Sequence, residues 1–332
     1  MKCFETHISP EDIVEICKVL ETGNLGFGEN VLKFEKAFGT FSNKDYNIAT
    51  NSASASAFMI FAYLRSVRGA CDIYTTSLGF TSPVWAAKHF GHNLIFVDIN
   101  DNLQFDIDDY LNQRRARHQR YTNYGITPVV MPVLYGGVST IDGFDDFFSK
   151  SQYGEVIVVD SAHCVTPTIK SDYLFFSFHP YKPICTSDGG MISTNDSTAT
   201  EYFKAYRNFG RKNNGLSYEI EQEGFKFYMN NLNATIGLTQ LNKYDENILV
   251  RKSNYEEMSQ RYELLPHDEN SSFYFATTLT GEANDVIKKT GLTRHYPMLH
   301  KMKYYRNIQE LPRLEALHNK ILNLPLYSQT GP

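Results

Sequence analysis

Val156-Ile157-Val158-Val159-Asp160-Ser161-Ala162-His163 is an apolar run that ends on a carboxylate, a serine and a histidine. Four β-branched residues in succession favour an extended chain, and the lack of polar alternation means that both faces are covered. Runs of similar character stand on either side, at Ile73–Ser77, Leu94–Ile99, Val129–Tyr135, Tyr173–Phe178 and Met191–Thr194. Between them, Ser54–Arg65, Ser82–Phe90 and Asp142–Lys150 are long enough to serve as crossover helices. This alternation predicts an α/β fold with a sheet buried on both faces and polar residues gathered at strand ends, where such folds place their chemistry.

Further out, Ser9-Pro10-Glu11-Asp12 has the grammar of a helix start, with Ser9 as N-cap and Pro10 in the first turn, and Gly23 closes the segment. After Gly224 the character changes. Asn231–Leu241 and Lys243–Leu264 read as long helices, followed by short segments holding Pro266, Pro297, Pro312 and Pro325. The expected division is therefore 1–244, an amino-terminal helix plus a large domain, and 245–332, a smaller carboxy-terminal domain. No internal repeat or low-complexity tract interrupts it.

The 332 residues are 42% apolar and 21% charged, with 22 Tyr, 23 Phe and 1 Trp, which excludes disorder over the bulk of the chain. A net charge of −5 without a basic block argues against nucleic acid as a partner. The five cysteines, Cys3, Cys17, Cys71, Cys164 and Cys185, are scattered and form no C-x-x-C pair, as expected of reduced thiols in a cytoplasm. Acids occupy the amino terminus where a secretory signal needs a basic start. The longest uncharged stretch, Tyr121–Ile141, is broken by two prolines and three glycines, so no membrane segment is expected. No H-E-x-x-H, paired cysteine ligands or G-x-S-x-G elbow is present, and no metal is expected. Gly26-Phe27-Gly28 lacks the third glycine of a dinucleotide fingerprint.

Chemistry concentrates downstream of the opening run. Asp160 and Lys182, the latter in Ser177-Phe178-His179-Pro180-Tyr181-Lys182, lie 22 residues apart, a spacing that allows both to face one pocket. A lysine that holds an aldehyde as a Schiff base and moves protons, with a carboxylate that keeps a pyridine nitrogen protonated, is the pair required by pyridoxal phosphate. Singly, a loop lysine is ordinarily a solvated charge and a strand-end aspartate a helix cap. Asn51-Ser52-Ala53-Ser54-Ala55 stands at a strand-to-helix turn, where free N–H groups and the Ser54 hydroxyl suit a dianion, although an ordinary capped helix reads the same way.

These segments, together with Phe34-Glu35, Phe80, Phe96-Val97-Asp98, Tyr135-Gly136, Asp188-Gly189-Gly190, Ala234–Leu241, His295-Tyr296-Pro297 and Leu324-Pro325-Leu326-Tyr327, resemble the DegT/StrS group of nucleotide-sugar aminotransferases. The resemblance runs from about Gly23 to Tyr327. It implies a fold type I architecture: a mostly parallel seven-stranded sheet flanked by helices in the large domain, and a smaller α/β domain. It also implies pyridoxal 5′-phosphate as cofactor, an amino-acid donor such as glutamate, a nucleotide-linked keto-sugar acceptor, and a homodimer with shared active sites. By resemblance Lys182 is the Schiff-base lysine, Asp160 pairs with the pyridine nitrogen, and His163 sits against the ring. Ser54, Ala55 and Ser177 meet the phosphate and Phe80 stacks on the cofactor. Phe27, Tyr181, His295 and Tyr296 approach the substrate.

The sequence departs from the family pattern at four places. Ala53 stands for a glycine, Ser187-Asp188 for Gly-Glu, and Lys226 for an asparagine that reaches a neighbouring subunit's phosphate, while the segment after Leu265 is short. Two alternatives remain at this stage. Relatives that act as sugar dehydratases replace the lysine with histidine, which Lys182 opposes; a noncatalytic regulatory or scaffolding relative would tolerate the changes at Ala53, Asp188 and Lys226.

Overall fold

The computed structural model describes residues 8–151, 154–211, 219–305 and 309–327. In chain order its elements are α1 (Pro10–Thr22), α2 (Glu29–Ser42), β1 (Tyr46–Thr50), α3 (Ala53–Arg68), β2 (Asp72–Thr76), α4 (Thr81–His89), β3 (Asn93–Val97), α5 (Ile107–Ala116), α6 (His118–Tyr124) and β4 (Pro128–Met131). There follow α7 (Phe144–Lys150), β5 (Val156–Asp160), β6 (Tyr173–Ser177), β7 (Gly190–Thr194), α8 (Ser197–Tyr206), α9 (Asn231–Asn242), α10 (Tyr244–Ser259), β8 (Phe275–Leu279), α11 (Ala283–Thr290), α12 (Pro312–Leu317) and β9 (Ile321–Pro325).

The main sheet has seven strands in the order β1-β7-β6-β5-β4-β2-β3. Pairing is parallel from β6 through β5, β4 and β2 to β3, and antiparallel where β7 lies between β6 and β1. The sheet is thus mostly parallel, as the resemblance implies. Successive strand residues separate into two cores. Ile73, Val129 and Val158 join α3, α4 and α8 on one face. Tyr74, Val130 and Ile157 join α2, α7 and α9 on the other. A sheet covered on both faces needs uninterrupted apolar strands, which is why the opening run shows no alternation.

Local grammar accounts for the ends of several elements. Ser9 caps α1 in a capping box with Asp12, and Gly23 terminates it at φ 69°. Asp12 is fully buried and takes Thr239 and, at 3.0 Å, Gln240 of α9, so α1 is pinned across the molecule. The run expected to continue to Tyr135 is interrupted after Met131, where Pro132 has no N–H to donate; Val133 still bridges Asp160 of β5, and a 3-10 turn at Tyr135–Gly137 then carries Gly136 at φ 75°. The helix expected to reach Leu264 ends at Ser259, because Leu264 bridges Thr278 and Leu265 N–H donates to Thr277 at 2.8 Å. This backbone extends a two-stranded antiparallel sheet, β8 with β9, whose apolar side packs on Tyr255, Met258, Val286 and Ile287 of α10 and α11.

Candidate active site

Register brings the chemistry to one sheet edge. Asp160 is the last residue of β5 and pairs with Phe175 of β6; Ser177 ends β6 opposite Gly190, which also faces Thr50 at the end of β1. Asp160, Ser177 and the turn after Thr50 therefore lie together. Gly190 permits this: a Cβ there would stand 2.5 Å from the carbonyl carbon of Ser52 and 2.6 Å from the nitrogen of Ala53. Ser52 is the N-cap of α3 and its hydroxyl accepts the Ala55 N–H at 3.1 Å. Ala53 is the first helical residue, a conformation open to any side chain, so the expected glycine is not required there. The helix start points its unladdered N–H groups toward a cavity of about 270 Å³.

Lys182 lines that cavity with Asp160 and His163. Its Nζ lies 4.2 Å from the centre of the Tyr274 ring. Removal from water brings the amine down to about 7, against the attraction of Asp160. Burial pushes the Asp160 carboxyl up to about 6, opposed by the Ala162 N–H at 3.0 Å and by Lys182. At pH 7 the Lys182 amine is thus close to the midpoint of its titration, while Asp160 remains mostly a carboxylate.

His163 offers Nε2 to the Tyr296 hydroxyl at 3.1 Å, while its buried Nδ1 has no partner. Its ring packs 4.5 Å from Tyr274. Burial, reinforced by Lys182 and His295, holds the imidazole neutral. His295 is likewise pulled down to about 4 by burial and then by Lys182, and burial raises the Tyr296 phenol so that it stays protonated. The tight backbone behind them depends on Gly137, at φ 96°, where a Cβ would stand 2.9 Å from both the His163 carbonyl oxygen and the Tyr274 nitrogen.

Of the residues singled out in the sequence, Ser54, Phe80, Asp160, His163, Ser177, Tyr181, Lys182, His295 and Tyr296 line this one cavity. Phe80 is 52% exposed and stands edge-on to Tyr296 at 5.6 Å. Three others lie elsewhere. Ala55 is buried beneath the turn with its N–H taken by Ser52. Phe27 stands edge-on to Tyr228 at 5.8 Å with the Arg207 guanidinium 5.0 Å from its ring. The Lys226 ammonium lies 5.7 Å from the Tyr228 ring, outside the cavity. Ser52, Ser82, His179, Asp188 and Tyr274, to which the sequence assigned no site role, also line the cavity. Ser52, His179 and Asp188 stood inside quoted motifs. Tyr274 carried only the signal of an aromatic run, Phe273-Tyr274-Phe275, ahead of a strand.

Among the described residues, no cluster of three His, Cys, Asp or Glu is arranged to hold a metal ion, and no helix is long and apolar enough to cross a membrane. Cys17, Cys71, Cys164 and Cys185 are free thiols; Cys3 lies outside the described residues.

Residues 6–332 match the DegT/DnrJ/EryC1/StrS aminotransferase family. The chain is 27% identical to the spore coat polysaccharide biosynthesis protein SpsC of Bacillus subtilis, over 96% of this chain and 90% of that protein. It is 24% identical to a UDP-4-amino-4,6-dideoxy-N-acetyl-beta-L-altrosamine transaminase of Helicobacter pylori, over 95% and 80%. Its fold superposes on the PLP form of the putative sugar aminotransferase Spr1654 of Streptococcus pneumoniae with a TM-score of 0.85 at 22% identity, covering 98% of this chain and 93% of that one.

Proposed function

Because this chain belongs to the DegT/DnrJ/EryC1/StrS aminotransferase family, we propose that it transfers an amino group from an amino acid, glutamate by resemblance, to a nucleotide-linked keto-deoxysugar. The product is an amino sugar for a surface polysaccharide or a glycoside. The observation that carries this reading is the cavity shared by Lys182, Asp160 and the start of α3.

The family is dependent on pyridoxal phosphate, which when bound supplies an aldehyde that condenses with amines and a ring that takes up electrons from the neighbouring carbon. The donor set fits that group. Lys182 would hold the aldehyde, Asp160 would pair with the ring nitrogen, and the α3 start with the hydroxyls of Ser54 and Ser177 would receive the phosphate, since all of them line the one cavity. His163, neutral and with an unpartnered Nδ1, offers a flat uncharged imidazole to the ring. At neutral pH the Nζ of Lys182 is poised to take a proton from carbon and return it, since its affinity is centred at about 7. His295 and Tyr296 contribute hydrogen bonds without charge at the cavity wall, and Phe80 and Tyr181 flank the mouth toward the sugar.

Residues 1–244 serve as the body that receives the cofactor, and 245–332 as the smaller domain that brings Tyr274, His295 and Tyr296 against it. Buried free thiols at Cys71, Cys164 and Cys185 support a cytoplasmic setting. Phe27 and Lys226 lie outside their own cavity, which supports a homodimer in which they serve the cavity of the second copy.

The test is an absorbance titration of the protein with pyridoxal phosphate followed by glutamate. The expected result is a visible band that glutamate bleaches and Lys182→Ala abolishes, and that borohydride also removes while leaving the cofactor covalently attached to the protein. A wild-type protein that borohydride cannot label would refute the assignment of Lys182.

A further inference from the structure

Tyr135 is buried behind the cavity wall, on the turn that follows β4. Its ring lies 5.1 Å from that of Phe275, and the Phe275 ring stacks at 6.0 Å on His295. A phenylalanine would fill this aromatic space equally well, so packing alone does not account for the hydroxyl. The hydroxyl makes directed contacts: it accepts the Asn323 amide Nδ2–H at 3.0 Å and donates to the backbone carbonyl of His295. Asn323 is fully buried on β9, and its Oδ1 takes the Thr277 hydroxyl of β8 at 3.0 Å.

The order of donors fixes a direction. A phenol has one proton; the Asn323 amide donates into its oxygen at 3.0 Å and Asn323 Oδ1 stands farther off at 3.3 Å, so that proton is directed to the His295 carbonyl. The next residue, Tyr296, bonds His163 through its hydroxyl at 3.1 Å, and its carbonyl takes His318 Nε2 at 2.9 Å. A continuous path thus runs from the small sheet, through Tyr135, to the two side chains that close one wall of the cavity.

We propose that Tyr135 is a positioning residue: held by Asn323, its hydroxyl fixes the His295–Tyr296 backbone, and so sets where both side chains meet the substrate and how Tyr296 meets His163. This rests on the reading of the cavity as an aminotransferase site. Removing the hydroxyl takes a donor from the His295 carbonyl and an acceptor from the buried Asn323 amide, an imbalance that the segment relieves by moving.

The test is peptide-resolved hydrogen exchange on the full chain loaded with pyridoxal phosphate, comparing wild type with Tyr135→Phe and, independently, Asn323→Leu. Exchange across residues 293–300 is expected to rise roughly tenfold in both variants, with residues 173–177 of β6 unchanged. In the glutamate half-reaction, followed by loss of the visible band, Tyr135→Phe is expected to slow the rate roughly tenfold, and to add little in a protein already carrying Tyr296→Phe. Unchanged exchange at 293–300 overturns the proposal. Equal acceleration at 173–177 also overturns it, because the hydroxyl then serves global stability alone. Should Tyr135→Phe fail to fold, Asn323→Leu decides by the same two regions. A wild-type protein inert to glutamate would refute the aminotransferase reading and leave the exchange comparison intact, so the two failures are distinguishable.

Discussion

Lys182 and Asp160 are each held near the point where they lose or gain a proton, and burial is the leading cause for both. The sign of the consequence is fixed. Only the unprotonated amine attacks an aldehyde, so the rate at which cofactor-free protein takes up pyridoxal phosphate is expected to climb between about pH 6 and 8, with its midpoint near 7, as the Lys182 amine titrates at about 7. Asp160 raises the lysine's proton affinity, so Asp160→Asn is expected to move that midpoint to lower pH. Stopped-flow absorbance across a pH series measures both. A midpoint at the ordinary lysine value of 10.5 would show that the cavity does not desolvate the amine. At this scale the pair was legible in the sequence because the chain delivers it from a strand end and from a nearby turn. Tyr274, whose ring lies beneath the amine, was not. It reaches Lys182 from a backbone packed on Gly137 and hydrogen-bonded to the Gly136 carbonyl at 2.9 Å, contacts between residues far apart in sequence.

Among elements, the meeting of β7 with α3 determines whether the helix start can serve an anion. Gly190→Ala would drive a methyl into the backbone of Ser52 and Ala53, at 2.5 and 2.6 Å, where no flexible side chain can yield. The expected cost is about 1–3 kcal/mol in urea unfolding, together with a weaker dissociation constant for pyridoxal phosphate. Unchanged affinity would remove the α3 start from the phosphate site. The sequence displayed the glycines of Asp188-Gly189-Gly190 but not what Gly190 approaches, since that surface belongs to residues 52–53. Strands β5 and β6 were readable because burial on both faces leaves a dense apolar run. Helix α5 was not singled out: Asp108, Asp109, Arg114 and Arg115 crowd it, and only Tyr110 and Arg114 are buried. Strands β8 and β9 escaped for another reason. Their partners lie 46 residues apart at Thr277 and Asn323, and the pairing that stabilises them is invisible to any local window.

At the scale of the whole molecule, one face remains conspicuously apolar. Trp85, Phe209, Ile220 and Phe225 are 42%, 39%, 68% and 50% exposed, and Phe58 links Trp85 at 6.2 Å to Phe225 at 6.2 Å. Helix α4 joins this face to the active site, because it places Ser82 and Pro83 in the cavity and Trp85 on the patch. A second copy seated there would cover the aromatic surface and bring its own Lys226, which follows Phe225 directly, close to a neighbouring cavity. The expected outcome is a dimer at micromolar concentration in sedimentation velocity, and a monomer after Phe225→Asp, which sets a charge where apolar surface must be desolvated. Lys226→Ala separates assembly from recognition. That variant is expected to remain dimeric while losing roughly tenfold in affinity for pyridoxal phosphate, the size expected for one charge-assisted contact. A wild-type monomer with full cofactor affinity would mean that each cavity is complete by itself, and the exposed face would then owe nothing to catalysis.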